Sequence, residues 1–224
     1  MDPLLSSFLI SAAVTLVATA VVGLLSRRLG IGDHPGGRRI HRTATPRLGG
    51  LAVMAGFFAS FTVLYSQLAP NFRPGQLMAF TGAAVFLLLV GVIDDKYGVP
   101  AVWQLASHVV VALVLVAVGM GIEQVTSPFG GTIDLHQWQL AVTFIEEGRY
   151  LQLPADLITV AWVVLVINSI NWLDGLDGLA SGVGMISAVT IALLSLSPVV
   201  GQGHVAVLAL MLAARLRRPL PIVL

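Results

Sequence analysis

The sequence predicts an all-α protein, a polytopic bundle of transmembrane helices with six to seven spans in a single domain, residues 1–224. Of its 224 residues, 57% are hydrophobic and only 10% are charged, and the mean hydropathy is +0.92. Soluble domains carry about 25% charged residues, so this composition excludes an ordinary soluble protein. The chain contains no cysteine, which excludes disulfides and thiolate metal sites.

Long apolar runs place the helices, because about 17 or more apolar residues are needed to cross a bilayer. The runs cover residues 4–25, 48–68, 77–93, 102–122, 157–170, 179–200 and, more weakly, 199–214. The first run is too long for a cleavable signal and lacks its basic flank, so it is interpreted as a retained span. We expect the fifth helix to extend by a turn at either end. Gln104 and His108 interrupt the fourth run, and residues 201–204 interrupt the seventh.

Basic residues predict the orientation of the bundle. The first loop contains a single acid, Asp33, against the arginines Arg27, Arg28, Arg38, Arg39, Arg42 and Arg47. Loops rich in arginine and lysine stay in the cytoplasm, so the N-terminus is predicted outside. Alternate threading then places Asp94, Asp95 and residues 168–178 on the cytoplasmic face. The acidic loop 123–156 falls outside, where we expect a short hairpin or an interfacial helix.

The most informative segment is residues 168–178, NSINWLDGLDG, at the end of the fifth run. Asn168, Asn171 and Asp174 lie within about a third of a helix circumference, because successive residues turn by about 100°. Gly175 and Gly178 loosen the backbone and let Asp177 turn toward the same region. Charged groups at bilayer depth are costly and usually mark a site, and oxygen ligands of this kind suit Mg²⁺ or Mn²⁺. The alternative is interhelical hydrogen bonding by buried amides.

A second acidic pair, Asp94-Asp95, closes the third run. Adjacent carboxylates repel each other, and a helix C-terminus disfavours their charge. A metal ion or a phosphate-linked partner would offset that cost. The alternative is a solvated stop signal with Lys96 as its counterion.

The arginine-containing first loop has two interpretations as well, because arginine forks bind phosphate groups and also anchor a loop on anionic lipid.

Together these segments resemble the polyprenyl-phosphate N-acetylhexosamine-1-phosphate transferase family, of the glycosyltransferase 4 type. The resemblance covers nearly the whole chain, in segments that share one predicted membrane face. The matching motifs are, in chain order, Asp33-x-Pro35…Arg39-x-His41…Pro46-Arg47-x-Gly49-Gly50, then Asp94-Asp95, then Asn168-x-x-Asn171-x-x-Asp174-Gly175-x-Asp177-Gly178-Leu179-Ala180. The first loop is more similar to members that use UDP-N-acetylglucosamine than to the cell-wall pentapeptide enzyme.

The resemblance implies transfer of N-acetylhexosamine-1-phosphate, foremost N-acetylglucosamine-1-phosphate, from a UDP-sugar to polyprenyl (undecaprenyl) phosphate, with release of UMP. Such a reaction initiates cell-envelope polysaccharide synthesis, including O antigen. The implied cofactor is Mg²⁺ or Mn²⁺, and the implied location is the cytoplasmic face of the inner membrane. The partners expected are the UDP-sugar, the lipid phosphate and the membrane. Nucleic acid is not expected, and a homodimer stays open.

The resemblance also implies a role for each matching residue. Asp94 would deprotonate or position the lipid phosphate, with Asp95 supporting it near the metal. Asn171 would be a metal or pyrophosphate ligand, and Asp95 is a second candidate metal ligand. Substrate binding is expected of Asn168, Asp174, Asp177, Arg39, His41 and Arg47.

The chain departs from the family pattern in two places. Gln104 stands where members commonly have a basic residue. A later Gly-Asp-x-Gly-Ser motif and a His-rich loop do not follow, so we expect a C-terminally truncated member whose own activity is open. The rival interpretations are a membrane transporter or cation carrier, and a non-catalytic remnant. A transporter is disfavoured because no repeat is visible and the acids cluster at one face, whereas transporters bind near the midplane.

Overall fold

The structure, a computed structural model, describes residues 2–28, 32–33, 45–46, 49–127, 129–135, 139–141, 150–173 and 179–213. These residues are mainly helical, which confirms the predicted all-α class. The α-helices are α1 (Pro3–Arg28), α2 (Gly49–Leu68), α3 (Gln76–Tyr97), α4 (Ala101–Ala117), α5 (Leu153–Leu173), α6 (Leu179–Ser195) and α7 (Gly203–Ala213). A 3₁₀ turn, Ala69–Asn71, follows α2.

Three short antiparallel strand pairs occupy two of the connections, one pair between α1 and α2 and two pairs between α4 and α5. They are β1 (Gly32–Asp33) with β2 (Thr45–Pro46), β3 (Gln124–Thr126) with β4 (Thr132–Asp134), and β5 (Gln139–Ala141) with β6 (Tyr150–Gln152). In the β3–β4 pair, Val125 lies opposite Ile133. The loop between α4 and α5 therefore forms a hairpin, one of the two structures expected for it.

Four helical segments within the described residues are long and apolar enough to cross a membrane. They are Pro3–Leu24, Gly50–Asn71, Gln76–Tyr97 and Leu153–Leu173. The helices α4, α6 and α7 are apolar but shorter, with 17, 17 and 11 residues. Together they confirm a polytopic membrane protein. The fifth predicted span extends at both ends, as expected.

Two predicted helix ends are wrong, because in each case the backbone turns before the apolar run ends. The fourth run stays apolar to residue 122, but α4 ends at Ala117. Gly119 there has a φ of +73°, a left-handed conformation that a helix cannot contain. α6 ends at Ser195 rather than 200, where a turn containing Pro198 follows, since proline has no N–H to continue a helix. Gly201 at φ +60° then precedes α7, which begins at Gly203. Hydropathy measures how apolar a segment is and not where its backbone turns, so apolar runs alone place these helix ends too late.

The chain divides into two compact units. The first unit comprises Met1–Asn71, Gly91–Gly98 and Leu173–Leu224, and the second comprises Phe72–Val90 and Val99–Trp172. The closest packing between described helices occurs within the first unit, among α1, α2, α6 and α7.

Small polar residues make this close packing possible in the first unit. Ser7, Ser11 and Thr15 form a buried face of α1. Ser11 Oγ donates to the carbonyl oxygen of Met211 at 2.6 Å, and Ser60 Oγ donates to that of Ser7 at 3.0 Å. Small residues let helix backbones approach closely inside a membrane, where apolar burial alone cannot drive association.

In the second unit, side-chain hydrogen bonds connect α3 and α5 to the residues that follow the end of α4. Gln76 Nε2 donates to the carbonyl oxygens of Val118 and Gly119, each at 3.2 Å. The backbone N–H of Ile122 donates to Thr159 Oγ1 on α5 at 2.9 Å. The two Gln76 bonds supply a donor for carbonyls that the end of a helix leaves unpaired, and the Thr159 bond joins α5 to the chain that follows α4.

Candidate active site

Four polar side chains on α4 and α5 form a cluster inside the second unit. We call Gln104, His108, Asn168 and Asn171 the α4–α5 polar cluster. His108 contacts Asn168 and Gln104 contacts Asn171. The two helices are therefore antiparallel, because the later residue on α5 meets the earlier residue on α4. The predicted shared face of Asn168 and Asn171 is confirmed, since both side chains contact α4.

The contact between His108 and Asn168 is the more buried of the two. His108 is only 6% exposed, and Asn168 is half-buried. Asn168 Nδ2 lies 3.2 Å from His108 Nδ1 and 2.8 Å from the carbonyl oxygen of Val164, one turn earlier on α5. A carbonyl only accepts, so the short contact with Val164 identifies this carboxamide atom as the nitrogen.

The contact between Gln104 and Asn171 is longer and more open to solvent. Asn171 Nδ2 lies 3.4 Å from Gln104 Oε1, and Asn171 is exposed. Gln104 Nε2 donates to the carbonyl oxygen of Val99, just before α4, at 3.0 Å. That bond orients the glutamine so that its oxygen faces Asn171. In both pairs, α5 contributes the amide nitrogen and α4 the acceptor.

In the sequence, Gln104 and His108 stand out as polar interruptions of a span, and Gln104 also as a departure from the family pattern. A signal for their role was present in the spacing. Gln104 and His108 are four residues apart on one helix, and Asn168 and Asn171 are three apart on another. Both spacings place two polar groups on one helix face, so each helix could have been recognised as having a polar face, although the direction and register of their pairing could not. The interhelical amide bonds expected under the alternative interpretation are thus present alongside the motif.

The acidic pair Asp94-Asp95 lies in the last turns of α3, where both side chains are half-buried. The backbone N–H of Gly98 donates to the carbonyl oxygen of Asp94 at 2.8 Å and closes the helix. Lys96, the proposed local counterion, places its Nζ over the Tyr97 ring at 5.0 Å from the centroid. This cation–π contact gives the lysine a partner on the same turn. The catalytic roles predicted for the two acids stay predictions.

Several predicted site residues lie outside the described residues. They are Arg39, His41, Arg47, Asp174 and Asp177. Helix α5 ends at Leu173, directly before the first of the two acids in the motif.

The predicted metal site depends on the ligand groups among the described side chains. Among them, no group of three or more His, Cys, Asp or Glu residues gathers to hold a metal ion. Asn171 nevertheless fits the predicted role, because its contact with Gln104 uses the amide nitrogen and leaves the carboxamide oxygen, the atom that Mg²⁺ prefers.

A cavity of about 310 Å³ lies elsewhere, within the first unit. Its lining includes Asp2, Gln67, Asn71 and His204, and none of the predicted site residues. It therefore gives no support to the chemistry predicted from the motifs.

Comparison with known proteins agrees with the motifs. The profile of the family described as "Glycosyl transferase family 4" matches residues 77–217. That range includes Asp94, Asp95 and the whole of segment 168–178, and it begins after the arginine-containing loop. No solved structure gives a significant match.

Three curated relatives are named as enzymes that transfer N-acetylglucosamine phosphate to a polyprenyl phosphate. The chain is 36% identical over 193 residues to the decaprenyl-phosphate N-acetylglucosaminephosphotransferase of Mycobacterium leprae, covering 84% of this chain and 44% of the relative. It is 32% identical over 206 residues to the probable undecaprenyl-phosphate N-acetylglucosaminyl 1-phosphate transferase of Bacillus subtilis, covering 92% and 51%. A Yersinia pestis undecaprenyl-phosphate alpha-N-acetylglucosaminyl 1-phosphate transferase is 26% identical over 181 residues. The chain spans about half the length of these relatives.

Proposed function

Since the chain belongs to glycosyl transferase family 4, we propose that it takes part in transfer of N-acetylglucosamine-1-phosphate from UDP-N-acetylglucosamine to a polyprenyl phosphate. The products are a polyprenyl-diphosphate sugar and UMP. The observation that carries the proposal is the family match over both acidic motifs, together with relatives named for this reaction at 32–36% identity. A transporter is not favoured by any of these relatives.

The reaction brings one phosphate against another, so its main obstacle is negative charge. A lipid phosphate oxygen attacks the β-phosphorus of the UDP-sugar, and the bond from that phosphorus to the bridging oxygen breaks. UMP leaves with that oxygen. Catalysis of this kind depends on positioning and on neutralising charge. A bound Mg²⁺ or Mn²⁺ would supply such neutralisation.

We assign the roles by motif. Asp94 accepts the proton of the lipid phosphate or holds that phosphate in place, and Asp95 supports it. Asn171 would hold a bound metal ion through its amide oxygen, with Asp95 as a second candidate ligand. Asn168, Asp174 and Asp177 bind the sugar nucleotide, and Arg39, His41 and Arg47 bind its phosphates. The half-buried position of both aspartates supports a role beyond solvation alone.

The orientation follows from charge. The arginines of loop 27–47 favour a cytoplasmic position for that loop, which places the N-terminus outside and the motifs on the cytoplasmic face. UDP-sugars are cytoplasmic, and a polyprenyl phosphate reaches the same surface through the lipid. In a bacterium, the location proposed is the inner membrane. A homodimer is compatible with the proposal and is not required by it.

The proposal is tested by measuring UMP release and lipid-linked sugar. Membranes would contain the chain in a host that lacks its own transferase of this class. Asp94→Asn should lower the rate by at least about 100-fold, because a positioned acid–base group contributes 10²–10⁴-fold. Asp134→Asn is the matched control, since Asp134 is an exposed acid in β4. Chelation of divalent metal should stop both products. Release that survives chelation, or that Asp94→Asn leaves unchanged, would contradict the mechanism.

A further inference from the structure

The orientation of the Asn168 carboxamide restricts what it can bind. Its nitrogen has two protons, and two acceptors lie within reach: the Val164 carbonyl oxygen at 2.8 Å and His108 Nδ1 at 3.2 Å. With one proton donated to each, the nitrogen has no proton left for a ligand. Only the oxygen Oδ1, which accepts hydrogen bonds, is left to meet a substrate.

The same contacts define the state of His108. An amide nitrogen cannot accept a hydrogen bond, so His108 Nδ1 must be the acceptor. The ring proton then resides on Nε2, and the imidazole is neutral. The ring is almost fully buried, which holds this geometry in place. The hydrogen bond made by one ring nitrogen commonly determines the tautomer in this way.

From these contacts we propose that His108 is a positioning residue, which holds Asn168 so that its oxygen accepts a hydrogen bond from a hydroxyl or N–H group of the sugar nucleotide. Asn168 is then not a phosphate ligand, because phosphate oxygens need a donor. This inference rests on the proposed function and assigns a specific chemistry to one of its residues. The Gln104–Asn171 pair has the same arrangement, with α4 accepting from the amide nitrogen.

The first test is substitution at Asn168, with binding of UDP-N-acetylglucosamine to the full chain in nanodiscs measured by calorimetry. Asn168→Asp keeps an oxygen acceptor, and His108 can donate to it by moving its proton to Nδ1, but the bond to the Val164 carbonyl is lost because a carboxylate cannot donate. Binding should therefore fall by less than in Asn168→Leu. Asn168→Leu removes the acceptor and should weaken binding about tenfold, the value of one well-placed hydrogen bond. If the residue faces phosphate instead, the added charge of Asn168→Asp would weaken binding more than Asn168→Leu, which would overturn the proposal.

The second test separates positioning from simple packing. His108→Leu should weaken binding about tenfold, as loss of an orienting partner commonly does. His108→Asn keeps an acceptor near the position of Nδ1 and should restore most of the affinity. In the double variant with Asn168→Leu, His108→Leu should cause no further loss, because it acts only through Asn168. Additive losses, or no rescue by His108→Asn, would show that His108 serves packing alone.

The third test needs no ligand. Nitrogen NMR of the imidazole rings, with the His108 signal identified by its loss in His108→Asn, should show Nε2 protonated and Nδ1 accepting. Asn168→Leu should shift the Nδ1 signal. A ring protonated on Nδ1 in the unmodified chain overturns the positioning role whatever the binding result. Failure of the unmodified chain to bind any UDP-sugar, with the expected NMR signal present, would instead contradict the proposed function and the ligand assigned to Asn168.

Discussion

Replacing Gly56 by alanine should destabilise the first unit. A Cβ added at Gly56 would lie 2.5 Å from the carbonyl oxygen of Ser11 and would overlap Thr15 Oγ1. The first of these atoms belongs to the α1 backbone and cannot rotate away, so α1 must move. The hydrogen bonds from Ser11 to Met211 and from Ser60 to Ser7 would lengthen as it moves.

The size of the effect follows from three contributions. Overpacking costs about 1–3 kcal/mol, and each of the two strained hydrogen bonds adds about 0.5–1.5 kcal/mol if it is lost. Alanine returns about 1 kcal/mol through its higher helix propensity. With both hydrogen bonds lost, the net expectation is a loss of about 1–5 kcal/mol in the free energy of unfolding.

Gly82→Ala is the matched control, because Gly82 lies in helix α3 and a Cβ there meets nothing within 4 Å. It should leave stability unchanged or raise it by up to about 1 kcal/mol. Both variants would be unfolded in detergent by increasing dodecyl sulfate and followed by far-UV circular dichroism. Equal midpoints for Gly56→Ala and Gly82→Ala would refute the close approach of α1 and α2.

Three further predictions follow from single contacts. Thr159→Val removes the acceptor for the Ile122 N–H and should cost about 1 kcal/mol in the same unfolding assay, whereas Thr62→Val, an exposed and local bond, should cost less. Equal losses would contradict the tie between α5 and the end of α4. Gln76→Leu should lower the free energy of unfolding by about 1–3 kcal/mol, because it leaves two backbone carbonyls without their side-chain donor. An unchanged unfolding midpoint would argue against that contact. Asn171→Ala should weaken Mn²⁺ binding by about tenfold, measured by electron paramagnetic resonance, whereas Asn171→Asp should retain it. Unaltered Mn²⁺ binding in Asn171→Ala would exclude the residue as a ligand.

Much of the fold was predictable because composition decides it. A run of about 20 apolar residues has few alternatives to a helix, since a membrane leaves no water for unpaired backbone groups. The helix ends were less predictable. Residues 118–122 are as apolar as the helix before them, and only the left-handed Gly119 reveals the turn. The sequence contains that glycine, but glycines also occur inside helices here, Gly82 among them, so its identity alone does not predict a break.

The candidate site was predictable in part, for a different reason. The spacing of Asn168 and Asn171 on one helix predicts their shared face without any tertiary information. Their partners could not be assigned in the same way, because Gln104 and His108 lie more than 50 residues earlier in the chain. Pairing them needs the relative direction and register of two helices, which depend on the loop between α4 and α5. The atoms that remain available to a ligand become known only from those contacts.

The polar residues of this chain differ in whether their contacts leave a polar atom available to a ligand, and this difference distinguishes a packing role from a functional one. The hydroxyls of Ser11 and Ser60 donate their only proton to backbone carbonyls of neighbouring helices, and both side chains are fully buried, so their oxygens are out of reach of a ligand. Asn168 and Asn171 also bond across helices, but a carboxamide has two ends and only the nitrogen is used. An interhelical hydrogen bond by an amide is therefore not an alternative to a functional role, as the sequence alone suggested. The bond to α4 is the means by which the carboxamide oxygen acquires a fixed direction, which a ligand site on a membrane helix requires.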